Sequence, residues 1–152
     1  MGHYYFDSSA LVKRYVVETG TDWVNNLYLD PDQTIYLARI SGAEIIAALF
    51  RRVRIGELLP VDADKAATQF KEDFRTRYQV VEVTEKVVDS AMDLAEKHNL
   101  RGYDAIQLAA ALELNLVRNS LCLSPIMFVC ADNQLNEVAR TVGFQIENPN
   151  VP

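Results

Sequence analysis

The sequence has 152 residues, the usual size of one domain, and we predict a single domain over residues 1–152. Hydrophobic residues make up 49% of the chain and charged residues 24%, which is enough apolar material for a core and excludes a disordered chain. The net charge of −6 excludes a basic nucleic-acid coat protein or a binder of anionic membranes, but it is compatible with a nucleic-acid enzyme that recruits metal ions.

Cysteine and histidine content narrows the class of protein further. The two cysteines are too few for a disulfide scaffold, and with the two histidines they show no zinc-ligand spacing. No apolar run reaches the roughly 18 residues of a membrane span, and a charged residue at position 7 argues against a signal peptide. We therefore expect a cytoplasmic protein without a membrane segment.

Strands and helices alternate along the predicted chain. In order, the predicted elements are a strand at 3–6, helices at 8–15 and 22–29, a strand at 34–38, helices at 41–55 and 62–74, a strand at 79–83, helices at 84–95 and 104–116, a strand at 126–131, a helix at 132–143 and a strand at 144–146. Several strands are apolar throughout, which is typical of a parallel sheet covered on both faces. We predict a three-layer α/β/α fold with a mostly parallel central sheet.

Four acidic residues stand in apolar surroundings: Asp7, Glu44, Asp104 and Asp132. Asp7 and Asp132 directly follow predicted strands, and ligands of open α/β sheets bind beyond the carboxyl ends of the strands. A solitary buried carboxylate is costly, so each acid needs a partner and several converging acids need a cation. We therefore expect the four side chains to converge at this edge of the sheet.

Each acid also has a purely structural interpretation. Asp7 and Asp132 are placed to cap the helices that follow them, and Asp104 is a first-turn acid that the helix dipole favours. Ser41 and Glu44 match the capping box Ser-x-x-Glu. Other predicted helix starts are capped by small polar residues, namely Thr21 or Asp22, Asp62 and Thr84. A cap and a metal ligand are compatible roles.

Four segments carry a family resemblance: Phe6–Lys13, the small-residue helix around Glu44, Gly102–Ala109 and Ala131–Leu135. Together they resemble the PIN-domain signature, and more closely the VapC-type toxins of bacterial toxin–antitoxin pairs. The resemblance spans essentially the whole chain and implies an endoribonuclease that depends on Mg²⁺ or Mn²⁺. It also implies RNA as the substrate, a VapB-like antitoxin as the partner, and a homodimer.

The resemblance assigns roles to individual positions. Asp7, Glu44, Asp104 and Asp132 match the acidic metal-site positions, and Ser9 matches a hydroxyl residue that orients the first aspartate. We expect Asp7 and Asp104 to be direct ligands, the other two acids to bind directly or through water, and we leave the general base unassigned. Many relatives carry Thr or Ser two residues before the last acid, whereas this chain has a cysteine at position 130.

Basic residues near the acidic motifs are candidates for binding RNA phosphates. Arg51 follows Glu44 by two helical turns and is thus on nearly the same face, about 10 Å away. Arg52 and Lys13 also follow acidic motifs, and we predict that these three bases bind substrate. The alternative is that they belong to solvated helix faces.

Two short helices carry more large apolar side chains than outer helices need. These are Trp23, Leu27, Tyr28, Phe70 and Phe74. The surplus fits a two-fold interface of a homodimer, although the same side chains would also serve to cover the sheet.

Two other functions compete with the ribonuclease. One is a non-catalytic PIN-like binding module with vestigial acids, against which the complete acid set argues. The other is a phosphatase with Asp7 as nucleophile, but dehalogenase-like phosphatases need a second Asp where Ser9 stands. The chain has no P-loop, which excludes nucleotide hydrolysis of that type.

Overall fold

A parallel five-stranded sheet forms the centre of the protein, as a computed structural model of residues 1–152 describes it. The strands are β1 (His3–Phe6), β2 (Thr34–Ala38), β3 (Gln79–Val81), β4 (Met127–Val129) and β5 (Gln145–Glu147). Their order is β3-β2-β1-β4-β5, and every neighbouring pair is parallel. The predicted α/β class with its parallel sheet is therefore confirmed, although three strands are shorter than predicted or displaced by one residue.

Helices cover both faces of the sheet. They are α1 (Ser8–Leu11), α2 (Thr21–Leu29), α3 (Ser41–Arg54), α4 (Pro60–Thr76), α5 (Glu85–His98), α6 (Gly102–Ser120) and α7 (Asn133–Thr141). Because strand side chains alternate between faces, Tyr5 packs into one apolar cluster and Phe6 into another. The first cluster lies under α5, α6 and α7, and the second lies under α1 to α4. These two clusters make the fold three-layered.

Several helix starts differ from the sequence predictions. Thr21 lies inside α2, which begins after Gly20; the glycine has a φ of 91°, and a Cβ there would meet a backbone oxygen at 2.5 Å. The Thr21 hydroxyl instead donates to the carbonyl oxygen of Lys13 at 2.9 Å. Asp62 is not a cap either, because α4 begins at Pro60, whose fixed φ suits the first helical position. The Thr84 cap is confirmed by its bond from the Val87 N–H.

The first predicted helix, at 8–15, is also divided. Only Ser8–Leu11 is α-helical, and Val12–Arg14 continues as a 3-10 helix. By contrast, α6 continues to Ser120, beyond its predicted end. No helix of the chain is both long enough and apolar enough to span a membrane.

The large apolar side chains of α2 and α4 pack within the chain itself. Tyr28 and Phe70 are buried, and Trp23, Leu27 and Phe74 pack against the same apolar cluster. They therefore cover the sheet, as the alternative interpretation holds, while Trp23, Leu27 and Phe74 stay partly exposed. The homodimer itself stays a prediction.

Candidate functional site

The carboxyl ends of β1 and β4 position two of the four acids. Asp7 follows β1 directly, and its N–H donates to the carbonyl oxygen of Val129 at 2.9 Å. Its carboxylate caps α1 by accepting from the Ser9 N–H, and Asp132 caps α7 by accepting from the Leu135 N–H at 3.0 Å. Both predicted caps are thus present. Each cap uses only one oxygen of its carboxylate.

Asp7 is only 5% exposed, and its hydrogen bonds are all made by one oxygen. Its Oδ2 accepts from the Ser9 N–H at 3.2 Å, the Ser9 hydroxyl at 2.5 Å and the Cys130 thiol at 3.5 Å, whereas Oδ1 has no hydrogen-bond partner. Burial raises the pKa of Asp7, the bonds from Ser9 offset part of that effect, and the charge of Asp104 raises the pKa further. The predicted contact of Ser9 with Asp7 is present.

Cys130 lies between the two strand-end acids and contacts both. The side chain is fully buried, and its sulfur also accepts from the Asp132 N–H at 3.3 Å. Burial and the charge of Asp7 raise the pKa of the Cys130 thiol, so the group stays protonated and donates to Asp7. The cysteine thereby links the carboxylate of Asp7 to the backbone of Asp132.

Glu44 is held by side chains from two other helices. The capping-box interpretation is wrong, because α3 has no side-chain cap and Ser41 is already its first helical residue. Instead, Glu44 Oε1 accepts from the Ser8 hydroxyl at 2.9 Å and from the Gln107 amide at 2.6 Å, and Oε2 has no hydrogen-bond partner. Burial raises the pKa of Glu44, these two bonds lower it, and the charge of Asp7 raises it again.

Arg101 connects the remaining two acids. Its Nε donates to Asp104 Oδ2 at 3.2 Å, and its Nη2 lies 4.0 Å from Asp132 Oδ2. The Arg101 side chain is 82% exposed, so the pairing is weak and easily broken. Asp104 lies in the first turn of α6 on the same stripe as buried Leu108, as its spacing predicts.

Contacts and charges therefore place the four acids at one end of the sheet. The charge of Asp104 acts on both Asp7 and Glu44, while Arg101 joins Asp104 to Asp132. No three acidic, histidine or cysteine side chains are gathered closely enough to form a ready-made metal cluster. Each carboxylate nevertheless keeps one oxygen that no protein hydrogen bond occupies.

The three basic residues predicted to bind substrate have different surroundings. Lys13 is 5% exposed and pairs with Glu18 at 3.1 Å, while Arg52 pairs with the other oxygen of Glu18 at 3.2 Å. These two cations therefore neutralise a carboxylate of their own chain. Arg51 and Arg54 are both exposed, and neither of them forms an ion pair. Only Arg51 of the three predicted bases is thus free for a phosphate.

Sequence reasoning missed Gln107, Ser8 and Tyr5 as parts of this site. Gln107 is fully buried and binds Glu44 as well as the Tyr5 hydroxyl, which lies 2.7 Å from its Oε1. The available signal was a glutamine one helical turn after Asp104 in an otherwise apolar stretch of α6. A polar residue at an inward-facing position requires partners, and here one partner is a candidate metal ligand.

Comparison with known proteins shows that most of this chain is similar to one protein family. The PIN domain family profile matches residues 4–140. Ribonuclease VapC45 and Ribonuclease VapC49 of Mycobacterium tuberculosis are each 37% identical to this chain over 108 residues, which cover 71% of this chain and 74% of each relative. The region matched by the family profile, residues 4–140, includes nearly the whole sheet and all four acids.

Solved structures share the fold at low sequence identity. VapBC2 of Rickettsia felis, bound to a DNA fragment from its promoter, gives a TM-score of 0.63 at 14% identity, covering 96% of this chain and 98% of that one. FitAB bound to the IR36 DNA fragment gives 0.64 at 15% identity, covering 98% and 96%. A toxin–antitoxin complex of Klebsiella pneumoniae gives 0.61 at 13% identity, covering 97% and 98%.

Proposed function

Because the chain belongs to the PIN-domain family, we propose that it is a metal-dependent endoribonuclease, the toxin of a toxin–antitoxin pair. The observation that carries this proposal is the set of four carboxylates at one sheet edge, each with an oxygen that the protein leaves without a hydrogen bond. The two mycobacterial relatives, named ribonucleases, support it. Family membership removes the basis of the phosphatase alternative.

The residues fit a hard divalent cation. All the donors are carboxylate oxygens, which Mg²⁺ and Mn²⁺ prefer, and the raised pKa values of Asp7 and Glu44 reflect burial and mutual repulsion that a cation relieves. Mg²⁺ typically keeps several waters and binds through one or two carboxylates, so a preassembled cluster of three acids is not required. We assign Asp7 and Asp104 as direct ligands, and Glu44 and Asp132 as ligands directly or through water.

The chemistry supplied by a bound ion is polarisation of the phosphate and activation of water for attack on the phosphodiester bond. The protein holds the acids ready for this task. Ser9 and Cys130 fix one oxygen of Asp7, and Ser8 fixes one oxygen of Glu44. Restraining ligands in this way lowers the entropy lost when they bind an ion.

Two exposed arginines supply positive charge beside the acids. Arg101 lies between Asp104 and Asp132, and its weak pairing leaves it free to turn toward an RNA phosphate. Arg51 lies two helical turns beyond Glu44 on α3, about 10 Å along the helix. The net charge of −6 repels the phosphates of RNA, and these two cations offset that repulsion locally.

The proposal includes an antitoxin partner, a VapB-like protein, together with a homodimeric state and a cytoplasmic location. Its support is the resemblance to VapC toxins and the likeness to structures described as VapBC2 and as a toxin–antitoxin complex. An antitoxin that covers the acidic edge would silence the enzyme, because it would block access to the four carboxylates.

The direct test is incubation of the purified chain with mixed cellular RNA in Mg²⁺, in Mn²⁺ and in EDTA. We expect cleavage with either metal, none in EDTA, and a large loss of cleavage in Asp104→Asn. Absence of cleavage in every condition, with a folded protein, would favour the non-catalytic binding module. Cleavage that persists in EDTA would contradict the metal-dependent mechanism.

A further inference from the structure

A buried polar network joins Glu44 to the inside of the sheet. The centre of this network is Gln107 of α6, whose side chain is fully buried. Its Nε2 donates to Glu44 Oε1 at 2.6 Å and to Ser41 Oγ at 2.9 Å. The same nitrogen lies 3.1 Å from Ser8 Oγ. Its Oε1 accepts from the Tyr5 hydroxyl at 2.7 Å. The amide thus has partners on both sides.

The Tyr5 hydroxyl fixes which way the amide points. Tyr5 is fully buried, and its hydroxyl lies in hydrogen-bond contact with the amide oxygen of Gln107. Because the Tyr5 hydroxyl donates to Gln107 Oε1, the NH₂ group of the amide faces Glu44, whose carboxylate can only accept. The reversed amide would set its carbonyl oxygen against the carboxylate, which is repulsive.

The network holds only one of the two oxygens of Glu44. Both donors, Gln107 and Ser8, bind Oε1, and Oε2 has no hydrogen-bond partner. Since a hydrogen bond to a charged group is short and strong, the 2.6 Å bond restricts the rotation of the carboxylate. The same division of roles occurs at Asp7, whose Oδ2 takes every bond.

We propose that Gln107 is a positioning residue that, with its amide oriented by Tyr5, holds Glu44 so that its second oxygen is presented to a divalent cation. This inference rests on the proposed function, because it concerns the same acidic edge. The competing view is that Gln107 only satisfies buried polar groups between α3, α6 and β1. That view predicts an effect on stability alone.

Two substitutions and a matched control separate these views. Gln107→Met keeps the length and approximate volume of the side chain but removes its donors, and Tyr5→Phe removes only the orienting hydroxyl. The control is Gln69→Met, because Gln69 also donates to a buried carboxylate, Asp73, at 2.9 Å, but lies on α4 away from the four acids. Mn²⁺ binding, measured by calorimetry or by electron paramagnetic resonance, is the readout.

We expect Gln107→Met to weaken Mn²⁺ binding about tenfold, the lower end of the range for residues that orient metal ligands, and Tyr5→Phe to weaken it less. Gln69→Met should leave Mn²⁺ affinity unchanged even where it lowers the melting temperature. In a Glu44→Gln background, the effect of Gln107→Met should disappear, because Gln107 acts through Glu44.

The possible results are distinct. Unchanged Mn²⁺ affinity in folded Gln107→Met, with normal binding by the unsubstituted chain, would overturn the positioning role and leave the proposed function intact. An undiminished effect in the Glu44→Gln background would overturn it as well. If the unsubstituted chain binds no Mn²⁺, both proposals fail. Should Gln107→Met not fold, Tyr5→Phe decides, since it deletes a single oxygen.

Discussion

Replacing Asp7 by Asn should stabilise the metal-free protein while it removes the proposed activity. Asp7 is buried, its Oδ1 has no hydrogen-bond partner, and Asp104 adds a repulsive charge. Asn is nearly isosteric and caps a helix as well as Asp does, so the cap of α1 is retained. The substitution therefore removes an unfavourable buried charge at little structural cost.

The expected gain is about 1–2 kcal/mol, the usual penalty for a poorly compensated buried polar or charged group. For a chain of this size, that corresponds to a rise in melting temperature of roughly 2–8 °C. The size of this gain depends on pH. The pKa of Asp7 is raised above its ordinary value of 3.8, so its contribution to stability is present below pH 3.8 and is lost as pH rises through the raised pKa. The advantage of Asp7→Asn should therefore be larger at pH 7 than at pH 4.

Asp73 provides the matched control, because it is a buried aspartate whose two oxygens are both occupied. It accepts from Tyr15 at 2.6 Å, from Tyr28 at 3.0 Å and from Gln69 at 2.9 Å. Asp73→Asn weakens these charge-assisted bonds and should destabilise the protein by about 1–2 kcal/mol. Thermal unfolding in EDTA, followed by circular dichroism at both pH values, measures the two variants. A lower melting temperature for Asp7→Asn than for the unsubstituted chain at pH 7 would refute the reasoning.

Three further predictions concern function. Expression of the unsubstituted chain without an antitoxin should slow bacterial growth, and Asp7→Asn should not; equal growth curves would argue against a toxin. Arg101→Ala should increase Mn²⁺ affinity severalfold in a binding titration, because it removes a cation 3.2 Å from Asp104. Arg51→Ala should reduce the salt dependence of RNA binding by about one counterion, measured by fluorescence anisotropy of the Asp7→Asn protein. An unchanged salt slope would show that Arg51 contacts no phosphate.

The sequence was sufficient to predict the sheet and two of the acidic positions. Continuous apolar segments alternate with amphipathic ones, a pattern typical of a parallel sheet covered on both faces. Because parallel strands end at one edge, Asp7 and Asp132 had to lie on the same side of the molecule. Both also serve as helix caps, so the structural and functional interpretations of these residues are true together.

Local patterns failed where a side chain has a distant partner. Ser41 and Glu44 have capping-box spacing, but the Ser41 hydroxyl bonds to Gln107, which is 66 positions away in the sequence. Likewise, the positions of Lys13 and Arg52 after acidic motifs predict cations available to substrate, whereas in the structure both pair with Glu18. Such tertiary contacts override local signals, and no spacing rule within one helix reveals them.

The most direct test of the account is a metal titration of RNA cleavage after removal of bound ions with EDTA. The unsubstituted chain and Asp73→Asn should both regain cleavage of one defined RNA as Mg²⁺ or Mn²⁺ is added. Asp7→Asn and Asp104→Asn should regain little or none, although Asp7→Asn is at least as stable as the unsubstituted chain. Full recovery of cleavage by either variant, or cleavage that is independent of added metal, would contradict the four-carboxylate metal site.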